Sequence, residues 1–600
     1  MYKKKLTTNE AFALAVKNHK KNNLETSRKL CAEILKGNPN HIGSLIVLAA
    51  ISIQKNEVTN AFFYYKKVIS IDPNHKIAIN NLAILLRDTD IRYLTQININ
   101  IIKELLIFLL KKKEIDHKDI FPISNFLLFN EKQHNKNEIE NVLNSNLSVL
   151  KNEIIQNLLK NELFILILQK CLTADYFLEK VLTKLRFEIL STFISSKENI
   201  SEEMFTFVVS LAEQCFFNEY IYVQEEKESS HVNEIIKSID KNKKINELEI
   251  AILACYVPLH SIKSLADKLL NYKSNNILFN DLIKFQIKEP LKEKKIINTI
   301  QSLGKISNII SKKVKKQYEE YPYPRWRCTY SNPPVKIEDI VNSLIKPNKI
   351  KLENKFMNPN VLVAGCGTGK QTILAAKSYL NAKVVGVDLS LSSLSYAKRK
   401  SEELGITNIE FLCGDILELK SLKKKFDIIE CVGVLHHMEK PLEGLKILTN
   451  LLEDHGLIRL GLYSEIARQD IINVRKFIKE NEFKNTSADI KNFRKILANE
   501  KNNKLFKKIF YRTDFYSTSS AKDLIFHTNE HRFNLEEISK MLKNLNLEFL
   551  GFMDTLKKID YAKLFPEDKN NVSLNNWHKF ELNNVDTFHG MYNFWVRKIQ

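Results

Sequence analysis

Two patterns of apolar residues divide the chain. From residue 91 to about 310, stretches such as IIKELLIFLLKKK, ISEEMFTFVVSLAEQCF and LEIAILACYVPL keep helical spacing without a clear repeat, which predicts an all-α region. From about 360 the pattern changes to short, β-branched runs that alternate with helical stretches. PNVLVA is followed by KQTILAAKSYL, and then come AKVVGVDLS, NIEFLCGD, FDIIECVGVLHH and HGLIRLGLY, the spacing of an α/β sheet. The C-terminal ends of such strands share one rim, where ligands bind.

Ahead of residue 91 the pattern repeats. NPNH at Asn38 to His41 returns as DPNH at Asp72 to His75, so Pro39 and Pro73 lie 34 residues apart. Small residues keep the register: Ser27 and Ala61 each stand twelve positions before the proline, and Ala49 and Ala83 recur at the same interval. Residues 1–90 resemble a tetratricopeptide array of two to three units, a helical solenoid. The resemblance implies stacked helix pairs with a concave face for a protein partner or protein substrate, and a plain helical spacer is the alternative.

Composition narrows the picture. A chain of 600 residues exceeds one hydrophobic core and implies roughly three or four domains. The net charge of +21 comes from lysines scattered along the whole length, so no dedicated nucleic-acid partner is expected. Eight cysteines lie far apart with no CxxC pair, which fits a reducing cytoplasm and excludes a zinc knuckle. Glu10 interrupts the short apolar run after the basic start, and runs such as ELFILILQ stop short of a membrane span. A cytoplasmic protein with no membrane span is the expectation.

The chemistry gathers at VLVAGCGTGKQT, which places Gly365, Gly367 and Gly369 between a strand and a helix. Glycine allows a tight turn and lets a ligand touch main chain. The strand AKVVGVDLS ends on Asp388, about 20 residues past the loop, where an acid can accept both hydroxyls of a ribose. The loop reads GxGxG, with Lys370 where a dinucleotide fingerprint has its last glycine, so nicotinamide binding is disfavoured. With Asp415 ending the next strand, residues of about 360 to 465 resemble the class I S-adenosylmethionine-dependent methyltransferases.

That resemblance implies a Rossmann-like sheet of seven strands whose last runs antiparallel, with LNLEFLGF and MYNFWVRKI as the sixth and seventh. It implies S-adenosylmethionine as cofactor, held by Gly365, Cys366, Gly367, Gly369, Asp388, Leu389, Asp415, Ile416 and Gly433. The glycines would back the methionine part, Asp388 the ribose, Asp415 with Ile416 the adenine edge, and Gly433 would lie beneath. A strand-end aspartate also serves as a simple cap. An activated methyl group requires only a held acceptor, excluded water and, where needed, a base, which His436 or His437 could supply unless they fill space or cap a helix.

Three further stretches bear on the site. HTNEH, His527 to His531, spells a zinc-protease motif, but Asn534 opening LEEISKML as an N-cap puts it in a connection, and no metal is expected. YPYPRW carries Tyr321, Tyr323, Arg325 and Trp326 and reads either as a lid over the cofactor or as an interdomain clamp, Arg325 meeting a carboxylate in the first case. Residues of about 466–535 are too many for a simple connection and read as an inserted helical cap. The expected organisation is 1–90 repeats, 91–310 helical, 311–335 lid or linker, and 336–600 methyltransferase domain. The expected function is methyl transfer to a protein or small-molecule acceptor; the alternative is a non-catalytic repeat scaffold with a degenerate Rossmann domain.

Overall fold

The computed structural model describes all residues except 1–5, 91–92, 94–97, 131–134, 146–147, 197–200, 242–243, 332, 500–505, 554–556 and 600. It divides into two units, Met1–Cys171 with Arg327–Asn332, and Leu172–Trp326 with Pro333–Gln600.

In the first unit the repeated NPNH and DPNH stretches are helix connections. Asn38 and Asp72 each accept the backbone N–H two residues on, at 3.2 and 3.0 Å, and His41 and His75 then cap the next helix through their Nδ1 atoms. The helices α1 (Thr8–Lys20), α3 (Ile42–Gln54) and α5 (Lys76–Asp88) begin 34 residues apart, and so do α2 (Leu24–Gly37) and α4 (Val58–Ile71). Ser27, Ala49, Ala61 and Ala83 are all fully buried, and the Ser27 hydroxyl donates to the Ala15 carbonyl at 2.8 Å, so helices cross where small side chains allow it.

The second unit is built on one sheet in the order β1-β4-β3-β2-β5-β6-β8-β7. Its strands are β1 (Gln301–Ser302), β2 (Asn360–Ala364), β3 (Lys383–Asp388), β4 (Ile409–Cys413), β5 (Phe426–Val432), β6 (Leu452–Tyr463), β7 (Leu547–Phe552) and β8 (Met591–Lys598). All pairings are parallel except those of β8, which runs antiparallel between β6 and β7. The seven expected strands are thus eight. The added one is β1, whose two residues have no alternation to read, and it pairs with β4 at the sheet edge.

The apolar run of β2 is buried on both faces, as parallel strands require. Val361 and Val363 enter one core with Val384, Ile428 and Trp595, while Leu362 and Ala364 enter the other with Val385, Ile429 and Phe594. Between β6 and β7, over the stretch read as an inserted cap, the described residues include the helices Gln469–Glu480, Ser487–Asn499 and Thr518–Ile525. Its two ends are pinned together, because Ser464 and Phe533 form a parallel bridge beside the C-terminus of β6.

Candidate functional site

Gly365, Gly367 and Gly369 all take left-handed backbone, with φ of +73°, +52° and +79°, so the loop turns sharply off β2 into the helix Lys370–Ser378. The Gly367 N–H donates to Asp388 Oδ2 at 2.7 Å and the Ser390 N–H to Oδ1 at 2.9 Å. These bonds use two of the roughly four acceptor positions of a carboxylate, which leaves capacity for a pair of hydroxyls. Burial pushes the Asp388 carboxyl above its ordinary range, and the amides of Ser390 and Gly367 draw it back. Leu389 follows at the same strand end, and Cys366 is buried in the loop.

Asp415 is buried and accepts from Leu417 N–H at 3.0 Å through Oδ1, so its capping role is real, and among the described residues only that oxygen is used. Ile416 beside it is buried in the core. Gly433, at the end of β5, has φ +78° and open space on every side of a would-be Cβ. Loop, Asp388, Asp415 and Gly433 therefore come together on the C-terminal rim of neighbouring strands β2, β3, β4 and β5.

YPYPRW packs directly on this loop. A Cβ on Gly367 would lie 2.8 Å from the Tyr323 carbonyl oxygen, the Thr368 hydroxyl donates to the Pro324 carbonyl, and Trp326 Nε1 donates to the Thr368 carbonyl at 3.1 Å. Trp326 is buried against Ile373 and Tyr396. Tyr321 reaches Ser487 Oγ at 2.6 Å, in the cap. Arg325 meets a carboxylate of the protein itself: its Nε donates to Glu219 at 3.0 Å. Tyr323 stacks on Tyr318, with ring centroids 6.2 Å apart.

His436 and His437 are both buried. His436 stacks on Tyr463 at 3.6 Å, and neither of its nitrogens has a hydrogen-bond partner among the described residues. Burial holds its pKa well below the ordinary range, and holds His437 down to about 4. His437 Nδ1 donates to the Asn529 carbonyl at 2.8 Å, and its ring stacks on His527 at 3.5 Å. His527 lies outside any helix, and Asn534 caps the helix Leu535–Asn544 with a capping box. His527 also meets the Tyr318 ring at 6.0 Å, and Asp523 completes with His437 and His527 a group of three possible ligand atoms within 4.8 Å of one another.

Asp523, Tyr463 and Arg468 join this cluster without any sequence signal of their own, together with Tyr318 from just before YPYPRW and Asn529 and Glu530 from HTNEH. Tyr318 donates its hydroxyl to Asp523, and burial pushes the Asp523 carboxyl up to about 6. Glu530, the acid of HTNEH, pairs with Arg468 at 3.0 Å, Arg532 at 3.2 Å and Arg475 at 3.7 Å. These residues descend from the helix Ile309–Glu320, the end of β6 and the cap, three segments that no spacing rule connects.

Residues 356–514 match the family model described as a methyltransferase domain. An uncharacterised protein of Synechococcus sp. is 30% identical over 203 residues, 33% of this chain and 49% of that protein. The ubiquinone biosynthesis O-methyltransferase of Coxiella burnetii is 34% identical over 116 residues, 19% of this chain and 48% of its own length. Among solved structures, PKMT2 from Rickettsia typhi in complex with AdoHcy is similar with a TM-score of 0.37 and 19% identity, covering 46% of this chain and 55% of that one. The chain spans about half the length of the curated relatives it matches. It carries an S-adenosylmethionine-dependent methyltransferase domain, and S-adenosylmethionine is the cofactor of that domain.

Proposed function

We propose that the whole protein is a methyltransferase whose acceptor binds between the cofactor and the inserted cap. The observation that carries this is the glycine loop: three left-handed glycines bring main chain to the C-terminal rim, where the Asp388 carboxylate is fixed by Gly367 N–H with acceptor capacity to spare. The cofactor supplies a methyl group already activated on a sulfonium sulfur. The chain's own residues then bind and orient: the loop from Gly365 to Gly369 and Cys366 back the amino-acid end, Asp388 and Leu389 hold the ribose, and Asp415 and Ile416 face the adenine. Gly433 leaves room beneath the cofactor. Tyr323 and the strap around it exclude water from the loop.

The 34-residue interval of helix starts supports a tetratricopeptide reading of residues 8–88, and a protein partner held on those repeats is part of the proposal. Among the described residues no helix is long and apolar enough to cross a membrane, and all eight cysteines are free, which supports a reducing, cytoplasmic setting.

Calorimetry with S-adenosylmethionine and S-adenosylhomocysteine tests the core of this. Both ligands should bind, and Asp388→Ala should weaken each by about tenfold to a hundredfold, the loss of a charge-assisted hydrogen-bond pair. Absence of heat and of any thermal shift with either ligand on the wild-type chain would sink the reading.

A further inference from the structure

Beyond the glycine loop, two hydrogen-bond acceptors face each other with no hydrogen between them. The Asn529 carbonyl can only accept, so His437 carries its proton on Nδ1 and a lone pair on Nε2. That Nε2 lies 3.9 Å from Asp523 Oδ1. The Asn529 N–H points at His527 Nδ1 at 3.1 Å, so His527 carries its proton on Nε2, which is buried without a partner among the described residues. One residue thus sets opposite tautomers in two stacked rings. Asn529 is itself fixed, its side-chain amide donating to the carbonyls of His437 at 3.1 Å and Met438 at 2.9 Å. Asp523 receives the Tyr318 hydroxyl and forms no ion pair with a lysine or arginine among the described residues, the nearby Arg468 and Arg475 being taken by Glu530.

Two imidazoles and a carboxylate this close suggest a metal centre, but the tautomers disagree with one. A metal-bound imidazole donates its other N–H to a carbonyl or carboxylate, as His437 does; His527 instead accepts at that position and would present N–H to the ion. The set fits an N–H or O–H that donates to Asp523 or His437, and a hydroxyl oxygen has a second lone pair to accept from His527.

Resting on the methyltransferase reading, we propose that Asp523, His437 and His527 hold the methyl acceptor at its reacting atom, that this atom is an amine nitrogen or hydroxyl oxygen bearing hydrogen, and that its proton passes to Asp523. As the bond from the acceptor atom to the methyl carbon forms, the sulfur–carbon bond electrons return to sulfur. The N–H or O–H bond then gives its electrons to the acceptor atom and its proton to Asp523 Oδ1. A carboxylate acceptor has no such hydrogen and would set a second anion against Asp523. Burial raises the basicity of the Asp523 carboxylate and lowers that of the His437 ring, so the histidines orient and Asp523 accepts.

The full chain loaded with S-adenosylhomocysteine is titrated by calorimetry with n-propylamine, n-propanol and propionate. The amine or the alcohol should bind and propionate should not. Asp523→Asn should weaken the binding about tenfold or more while S-adenosylhomocysteine affinity stays within about twofold; should that variant not fold, His437→Gln serves, with the same expected loss. Binding of propionate as tight as that of the other probes, no binding of amine or alcohol, or indifference to both substitutions overturns the proposal. So does stoichiometric uptake of Co²⁺ whose absorption bands vanish in Asp523→Asn, which makes the cluster a metal site. Failure of S-adenosylhomocysteine itself to bind is a separate reading on the same instrument, and it removes the methyltransferase reading together with this one.

Discussion

Gly367 and Gly433 both hold left-handed backbone, with φ of +52° and +78°, yet an added methyl group meets different surroundings. At Gly367 it runs into the Tyr323 carbonyl oxygen at 2.8 Å, main chain that cannot swing aside. Gly367→Ala should therefore lower the melting temperature and abolish cofactor binding together. At Gly433 nothing lies within 4 Å, so Gly433→Ala adds only the backbone penalty of about 1–2 kcal/mol and, on the proposed placement, fills space left for the cofactor. Fluorimetric melting and calorimetry on the two variants should separate them: both properties lost in the first, affinity lost with a small thermal shift in the second. In the other unit, His117 is buried, donates Nε2–H to the Lys112 carbonyl at 2.8 Å, and is held down to about 4 by burial. Its folded pKa lies below the ordinary 6.5, so the unfolded chain binds the extra proton. Stability from this neutral histidine is complete above about 6.5 and falls as pH drops toward 4, by up to about 1.4 kcal/mol per pH unit. Denaturant unfolding at pH 7 and pH 4.5 should show a smaller difference for His117→Gln than for wild type.

The strap YPYPRW is the element where lid and clamp compete, and its residues divide between the two. Trp326 is only 4% exposed, hydrogen-bonded to Thr368 and packed on Tyr396, so Trp326→Ala should cost about 3–5 kcal/mol as a core truncation. Because Thr368 belongs to the glycine loop, cofactor affinity should fall with it. Tyr321→Phe removes one hydrogen bond to Ser487, about 1 kcal/mol, and should leave affinity nearly unchanged. Chemical denaturation paired with calorimetry measures both; a Trp326→Ala chain of wild-type stability that still binds poorly would mean a lid and no clamp. Elements also show how far the sequence could be read. The strands β2 to β8 follow from β-branched runs bounded by turn residues, and the glycine loop with Asp388 and Asp415 follows from its position between them. β1 was invisible because Gln301–Ser302 has no pattern, and Asp523, Tyr318 and Asn529 because side chains from distant segments meet only in the fold. HTNEH does not form the pairing its spelling suggests: His527 stacks on a histidine 90 residues upstream, and Glu530 gathers arginines.

At the scale of the molecule, the helices before residue 310 share a unit with the sheet, down to Leu172. Buried charges connect them. Arg399, on the helix after β3, pairs with Glu289 at 3.2 Å and Glu293 at 2.7 Å, and Arg494 in the cap pairs with Glu179, each arginine side chain no more than 5% exposed. Glu219 holds a left-handed φ of +59°, a strained position for a residue with a Cβ, and its carboxylate takes both Arg325 and the Ser519 N–H at the start of the helix that carries Asp523. A fragment that begins at residue 310 strips Glu179 from Arg494, Glu219 from Arg325, and Glu289 and Glu293 from Arg399, which keeps Glu403, and breaking a buried pair costs about 3–5 kcal/mol. That loss is comparable to the whole stability of a domain, roughly 5–15 kcal/mol. It also exposes the edge of β4 that β1 covers. We therefore expect residues 172–600 to fold and bind S-adenosylhomocysteine, and residues 310–600 to aggregate or fold without binding it. Gel filtration, circular dichroism and calorimetry on the two fragments decide the matter. A shorter fragment that is monomeric, folded and binds as tightly as the longer one would mean that the helical segment is a passenger on the site, and that Glu219 does not place Asp523.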